Sequence, residues 1–148
     1  MARDMPITIG EVFHLLWQGK THMKATLEEI DHAVLSAAPL GKLLCWRAPQ
    51  TGQLVGLMSY AILPPEREQA YLTNNALIGG DDFKVDEGGE LYVLDFVAPH
   101  GAVAKMVKNA RNYFARKYGE GVTCNWKRIG RPRPKLGYAV MREYDAPD

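Results

Sequence analysis

Apolar positions recur along the chain with two periods, and the switches between them outline the elements. Ile9, Val12, Phe13 and Leu16 repeat at helical spacing behind Thr8-Ile-Gly-Glu11, and Gly19 closes the segment. That opening is a capping box, in which a hydroxyl and a carboxylate satisfy the orphan amides of a helix start. A second box, Thr26-Leu-Glu-Glu29, predicts a helix bearing Leu27, Ile30, Val34 and Ala38, ended by Pro39 and Gly41. Apolar runs at Leu43–Ala48 and Leu54–Leu63 flank the turn Pro49-Gln-Thr-Gly52, which predicts a hairpin halted at Pro64-Pro65. From 66 to 80 the pattern is mixed: Gln69–Thr73 fits a strand, and 74–80 fits a loop. Acid-rich Asp81–Gly89 reads as a flexible polar loop. Glu90–Val97 is a near-continuous apolar strand that stops at Ala98-Pro99-His100-Gly101. Ala102–Tyr118 returns to the helical period, with Val103, Met106, Val107, Ala110 and Phe114 on one stripe and Lys and Arg opposite. Gly119 is its expected cap. Val122–Lys127 and Leu136–Tyr144 read as closing strands around the basic loop Gly130-Arg-Pro-Arg-Pro-Lys-Leu-Gly137. Two helices, an antiparallel run, one long helix and two more strands predict an α+β domain. No linker, low-complexity run or repeat divides residues 1–148, so a single domain is expected.

Composition narrows the class. At 148 residues, 47% of them hydrophobic, the chain buries a core without a disulfide or metal staple, and it is not a disordered tail. No apolar run approaches the ~18 residues of a membrane span, and Met1-Ala-Arg-Asp-Met-Pro6 lacks the apolar core of a secretory signal. Cys45 and Cys124 are far apart and have no zinc-type spacing, so packed thiols in a reduced, cytoplasmic protein are expected. The net charge of +1 hides an asymmetry. Lys105 to Arg142 holds eleven basic residues against the single acid Glu120, a net of +10, while the remainder is −9. A layout of this kind concerns partners: an acidic protein or a nucleic acid could meet the basic side.

Candidate chemistry concentrates on two residues. His14 and His32 lie inside amphipathic helices, where a lone histidine is structural or surface, and His100 simply follows a strand exit. His22 instead sits in the short connection between two capped helices, where rigid elements hold functional side chains. Asp95 interrupts the apolar run Leu91-Tyr-Val-Leu-Asp-Phe-Val97, and a carboxylate there is costly unless paired, hydrogen-bonded or turned to solvent. Together they suggest a dyad in which Asp95 fixes the imidazole tautomer and His22 acts as general base. The chain has no Gly-x-Ser-x-Gly elbow, no phosphate-binding glycine loop and no metal-ligand spacing.

These segments carry a resemblance. Leu15-Leu-Trp-Gln-Gly-Lys-Thr-His22, Gln53-Leu-Val-Gly-Leu-Met-Ser-Tyr-Ala61 and Leu91-Tyr-Val-Leu-Asp-Phe-Val-Ala-Pro-His-Gly101 resemble, in order and spacing, blocks of the RTX toxin-activating lysine acyltransferases. The resemblance spans about residues 8 to 118. Gly19, Lys20, Met23 and Ala25 depart from the residues usual around the family's histidine. It implies a GNAT-like fold, a mostly antiparallel central sheet flanked by helices. It also implies transfer of a fatty acyl group from acyl carrier protein to an internal lysine of a target protein such as an RTX protoxin. The catalytic pair then falls on His22 and Asp95, with direct transfer or an acyl-histidine intermediate as the two routes. No tightly bound cofactor or metal is implied, and the chain lacks the Arg/Gln-x-x-Gly-x-Gly/Ala loop that cradles coenzyme A in GNAT enzymes. Lys105, Lys108, Arg111, Arg116 and Lys117 would meet the acidic carrier, and a homodimer is a further expectation. Two alternatives stay open. One is a catalytically silent GNAT-like partner protein. The other is a nucleic-acid module using Arg128, Arg131, Arg133 and Lys135 with Trp126 and Tyr138.

Overall fold

The computed structural model describes residues 7–19, 25–74, 76–127 and 136–143. Its elements run α1 (Ile9–Gly19), α2 (Leu27–Ala33), β1 (Leu43–Arg47), β2 (Leu54–Leu63), α3 (Pro65–Asn74), β3 (Glu90–Val97), α4 (Val103–Tyr118), β4 (Thr123–Lys127) and β5 (Leu136–Val140). Short 3-10 turns occupy Leu35–Ala37 and Gly80–Lys84. The five strands form one sheet in the order β1-β2-β3-β4-β5, antiparallel except for the parallel pair β3–β4, which α4 connects. This is the α+β, GNAT-like arrangement expected from the sequence. Among the described residues no helix is long and apolar enough to cross a membrane.

Both faces of the sheet are covered. One packs Leu44, Trp46, Met58, Tyr60, Ile62 and Leu91 against Met106, Ala110 and Phe114 of α4. Opposite it, Cys45, Leu57 and Val97 meet Val12, Leu15 and Leu16 of α1 and Ile30 of α2, while Ala61, Leu63 and Tyr92 meet Ile78 and Phe83. The expected caps form. Thr8 Oγ1 accepts from the Glu11 amide at 3.2 Å while Glu11 Oε1 accepts from the Thr8 amide at 3.1 Å. Gly119, at φ +103°, closes α4 by donating to Ala115 O at 3.0 Å.

Three expectations need correction. Gln69–Thr73 is not a strand but part of α3. Pro65 sits at the first helical position and Glu66 and Glu68 fill the first turn, signals that outweigh the β-prone Tyr-Leu-Thr. No residue of α3 is fully buried, so the apolar period that marks other helices is missing. The second helix ends at Ala33 rather than Ala38; Val34 leaves helical geometry and the chain tightens into the 3-10 turn. Asp81–Gly89 is held rather than loose. Phe83 is fully buried, Asp82 accepts twice from Arg67 at 2.9 Å, and Asp86 pairs with the buried Lys42.

Arg47 donates to both carboxylate oxygens of Glu11, tying α1 to β1. This guanidinium, with the Thr8 amide, lowers the Glu11 carboxyl from its ordinary 4.5 to about 2. A folded value below the unfolded one means stabilisation that is complete above pH 4.5 and is lost as pH falls through about 2. Glu11→Gln should therefore cost about 1 kcal/mol at neutral pH, the scale of a solvent-screened pair. The deficit should close on acidification across that window, as paired urea melts would read out.

Candidate active site

A one-residue irregularity in the sheet builds the centre of the site. Along β2 and β3 the pairing runs Leu57↔Val97, Met58↔Phe96 and Ser59↔Asp95, then jumps to Tyr60↔Val93, leaving Leu94 as an extra residue. Such bulges re-aim side chains. Val93 and Phe96 pack on the α4 side, whereas Leu94 joins the cluster opposite. Asp95, as the partner of Ser59, then stands on the same face as Leu94, the face of α1 and α2. Strict alternation, which would have sent Asp95 to the α4 side, is broken here.

Asp95 is partly buried and held from two directions. Ser59, fully buried, donates its hydroxyl to Asp95 Oδ2 at 3.2 Å, and the Asp95 amide donates to Ser59 Oγ at 3.1 Å. This double contact locks the backbone and the carboxylate together. Burial, and secondarily the Asp95 charge, pushes the Tyr71 phenol up to about 12. The site therefore combines a carboxylate with a tyrosine that stays protonated across the physiological range.

The parallel pair beside Asp95 is short. Only Leu91, Tyr92 and Val93 pair with Cys124, Asn125 and Trp126; beyond them β3 and β4 part. A cleft of about 570 Å³ opens on the α4 side, walled by Met58, Phe96, Ala110, Phe114, Cys124 and Met141, with Arg111 also in its lining. That volume lies within the range of small-molecule sites, and its walls are chiefly apolar. Arg111 Nε is buried with no hydrogen-bond partner among the described residues, a donor available to a bound acceptor group. A second cavity of about 230 Å³ lies on the α2 side, and the two share Leu94, Asp95 and Lys127. Lys127 Nζ donates to Tyr71 O at 2.7 Å and sits 4.1 Å from the Tyr71 ring centroid. Burial lowers its pKa.

His22 lies outside the described residues, so its distance to Asp95 does not enter the geometry. Its flanking elements, α1 and α2, both pack on the Asp95 face. The end of α1 is tied to the exit of β3, where Gln18 Oε1 and His100 Nε2 are 3.0 Å apart. His32 packs its backbone and ring against Gly79 and Gly80. Of the basic residues on α4, Lys105 is exposed and Lys108 partly so. Arg116 pairs with Glu143, and Lys117 donates to the Tyr60 and Tyr113 hydroxyls at 3.3 Å. Cys45 and Cys124 are buried, and burial pushes both thiols up to about 12, so neither is a ready thiolate. Arg128, Arg131, Arg133 and Lys135 lie outside the described residues. No three His, Cys, Asp or Glu side chains converge as a metal-binding group among the described residues.

Ser59, Tyr71 and Lys127 were not singled out from the sequence. Ser59 did carry a signal, being a hydroxyl inside the apolar run Leu54–Leu63, the same anomaly that drew attention to Asp95. In comparison with known families, a sequence model described as the RTX toxin acyltransferase family matches residues 2–130. No curated protein matches the chain.

Proposed function

The chain belongs to the RTX toxin acyltransferase family, and from that premise we propose that it moves a fatty acyl group from acyl carrier protein to a lysine ε-amine of an RTX protoxin, with His22 and Asp95 as its catalytic pair. The observation that carries this reading is the meeting, at Asp95, of a partly buried carboxylate with an apolar cleft opened by the parting of β3 and β4. The cleft suits an acyl chain, and its mouth suits the thioester.

The acceptor lysine loses one proton to solvent to become a nucleophile. Its nitrogen attacks the thioester carbonyl carbon while His22 takes a second proton from that nitrogen. Asp95 accepts a hydrogen bond from the other imidazole nitrogen and offsets the charge of the imidazolium. The C–N bond forms, the C–S bond breaks, and the departing thiolate takes the proton from His22. The products are an amide and a carrier thiol. Arg111, in the lining of the cleft with a buried, unpartnered Nε among the described residues, would face the carbonyl end of the donor. Lys105 and Lys108, on the exposed side of α4, would steer the acidic carrier, which makes the encounter salt-sensitive. The same reading puts the enzyme in the cytoplasm with its carrier, and takes it as a homodimer.

Mass spectrometry of palmitoyl carrier protein, the enzyme and a protoxin fragment tests this. Loss of the acyl mass from the carrier and its gain on a fragment lysine is the expected result. An acyl group left on the enzyme would instead assign the acyl-histidine route, and an unchanged carrier would overturn the reading.

A further inference from the structure

The α2-side cavity has no part in the mechanism above, yet it opens onto the same carboxylate. Among the described residues its charged lining is Glu29, Asp95 and Lys127, two acids to one base. Lys127 is already committed to the Tyr71 carbonyl and ring. Glu29 is set on a rigid element, since its amide donates to the Thr26 cap at 3.1 Å. Leu77 stands half exposed in the wall of this cavity, and Leu27 and Leu72 are exposed on the adjoining helices. This lining, with bare leucines beside it, contrasts with that of the α4-side cleft, whose charged members among the described residues are Asp95, Arg111 and Lys127.

Resting on the acyltransferase reading, we propose that the α2-side cavity receives the acceptor lysine side chain. Glu29 draws its ammonium inward toward Asp95, and donor and acceptor approach the reacting centre from opposite faces of the sheet. A carboxylate at the mouth attracts a protonated lysine and repels the acidic carrier, so it selects between the two partners as well as binding one. The gap left by the parting of β3 and β4, with Leu94, Asp95 and Lys127 at its neck, is where amine and thioester meet.

Steady-state transfer from palmitoyl carrier protein to an RTX protoxin fragment, with each substrate varied in turn, tests the assignment. Glu29→Gln should raise the KM for the fragment about threefold and Glu29→Lys about tenfold, with the KM for the carrier unchanged. Ala33→Leu, which fills the cavity from α2, should do the same without reversing charge. Glu87→Lys makes the same charge reversal on an exposed residue outside both cavities, and should move neither constant. An unaltered fragment KM in Glu29→Lys and Ala33→Leu would overturn the proposal while leaving the acyltransferase reading in place. So would an equal rise in Glu87→Lys. Failure of the unmodified protein to transfer at all would overturn that reading and this one with it.

Discussion

Replacing Asp95 by Asn should lower acyl transfer on the order of 10²–10⁴-fold, the usual contribution of a positioned acid–base pair, while the protein stays folded. The asparagine carbonyl can still accept from Ser59, and the backbone bond from the residue-95 amide to Ser59 Oγ does not depend on the side chain. What the proposed mechanism would lose is the negative charge that it assigns to holding the imidazole tautomer and stabilising the imidazolium. His22→Ala should cost as much. The double variant should cost little more than either alone, as the proposed pair acting as a unit requires. Single-turnover transfer, with circular dichroism to confirm the fold, measures all three. A rate in Asp95→Asn within tenfold of the unmodified protein would remove Asp95 from the chemistry.

That prediction depends on a feature the sequence could only half express. The apolar run around Asp95 identified β3 with its correct ends, since Glu90–Val97 is the strand observed. Periodicity alone assigns alternate residues to opposite faces, and a bulge invalidates that count from the bulge onward. The inserted Leu94 becomes visible only when Ser59 is found opposite Asp95 and Tyr60 opposite Val93. The same holds for the cleft. Its walls come from β2, β3, α4, β4 and β5, elements whose existence was legible but whose parting depends on where a three-residue parallel pairing ends. Parallel pairing has no local turn signal to announce it, unlike the hairpin of β1 and β2, which Pro49-Gln-Thr-Gly52 made plain. Elements with strong caps or long apolar stripes were readable. α3 buries no residue fully, so it lacks the apolar stripe that marks the other helices, and only Pro65 and the acidic first turn announce it. The Asp81–Gly89 segment, anchored by Phe83 and by the Arg67–Asp82 and Lys42–Asp86 pairs, instead owes its form to distant contacts.

The proposed seating of the acyl chain in the α4-side cleft gives a second large expected effect, one that separates chain binding from catalysis at its end. Ala110 lies on the buried stripe of α4 and in the wall of the cleft, with Val107 one turn earlier. Phenylalanine at position 110 should project into the space that the acyl tail would fill. Excluding about three methylenes from the cleft forfeits roughly 2.4 kcal/mol at ~0.8 kcal/mol each, or roughly a fifty-fold loss in kcat/KM with a long-chain carrier. A butyryl carrier does not reach that depth and should lose less than about threefold, since only its first methylenes contact the walls. Val107→Phe, at a partly exposed position, should give the same chain-length dependence with less risk to the core. Carriers of graded chain length, run against both variants, distinguish a blocked tail site from a general loss of activity. An equal loss at every length would place the acyl chain elsewhere, whereas a loss that grows with length and levels off at the filled depth would locate it beneath α4.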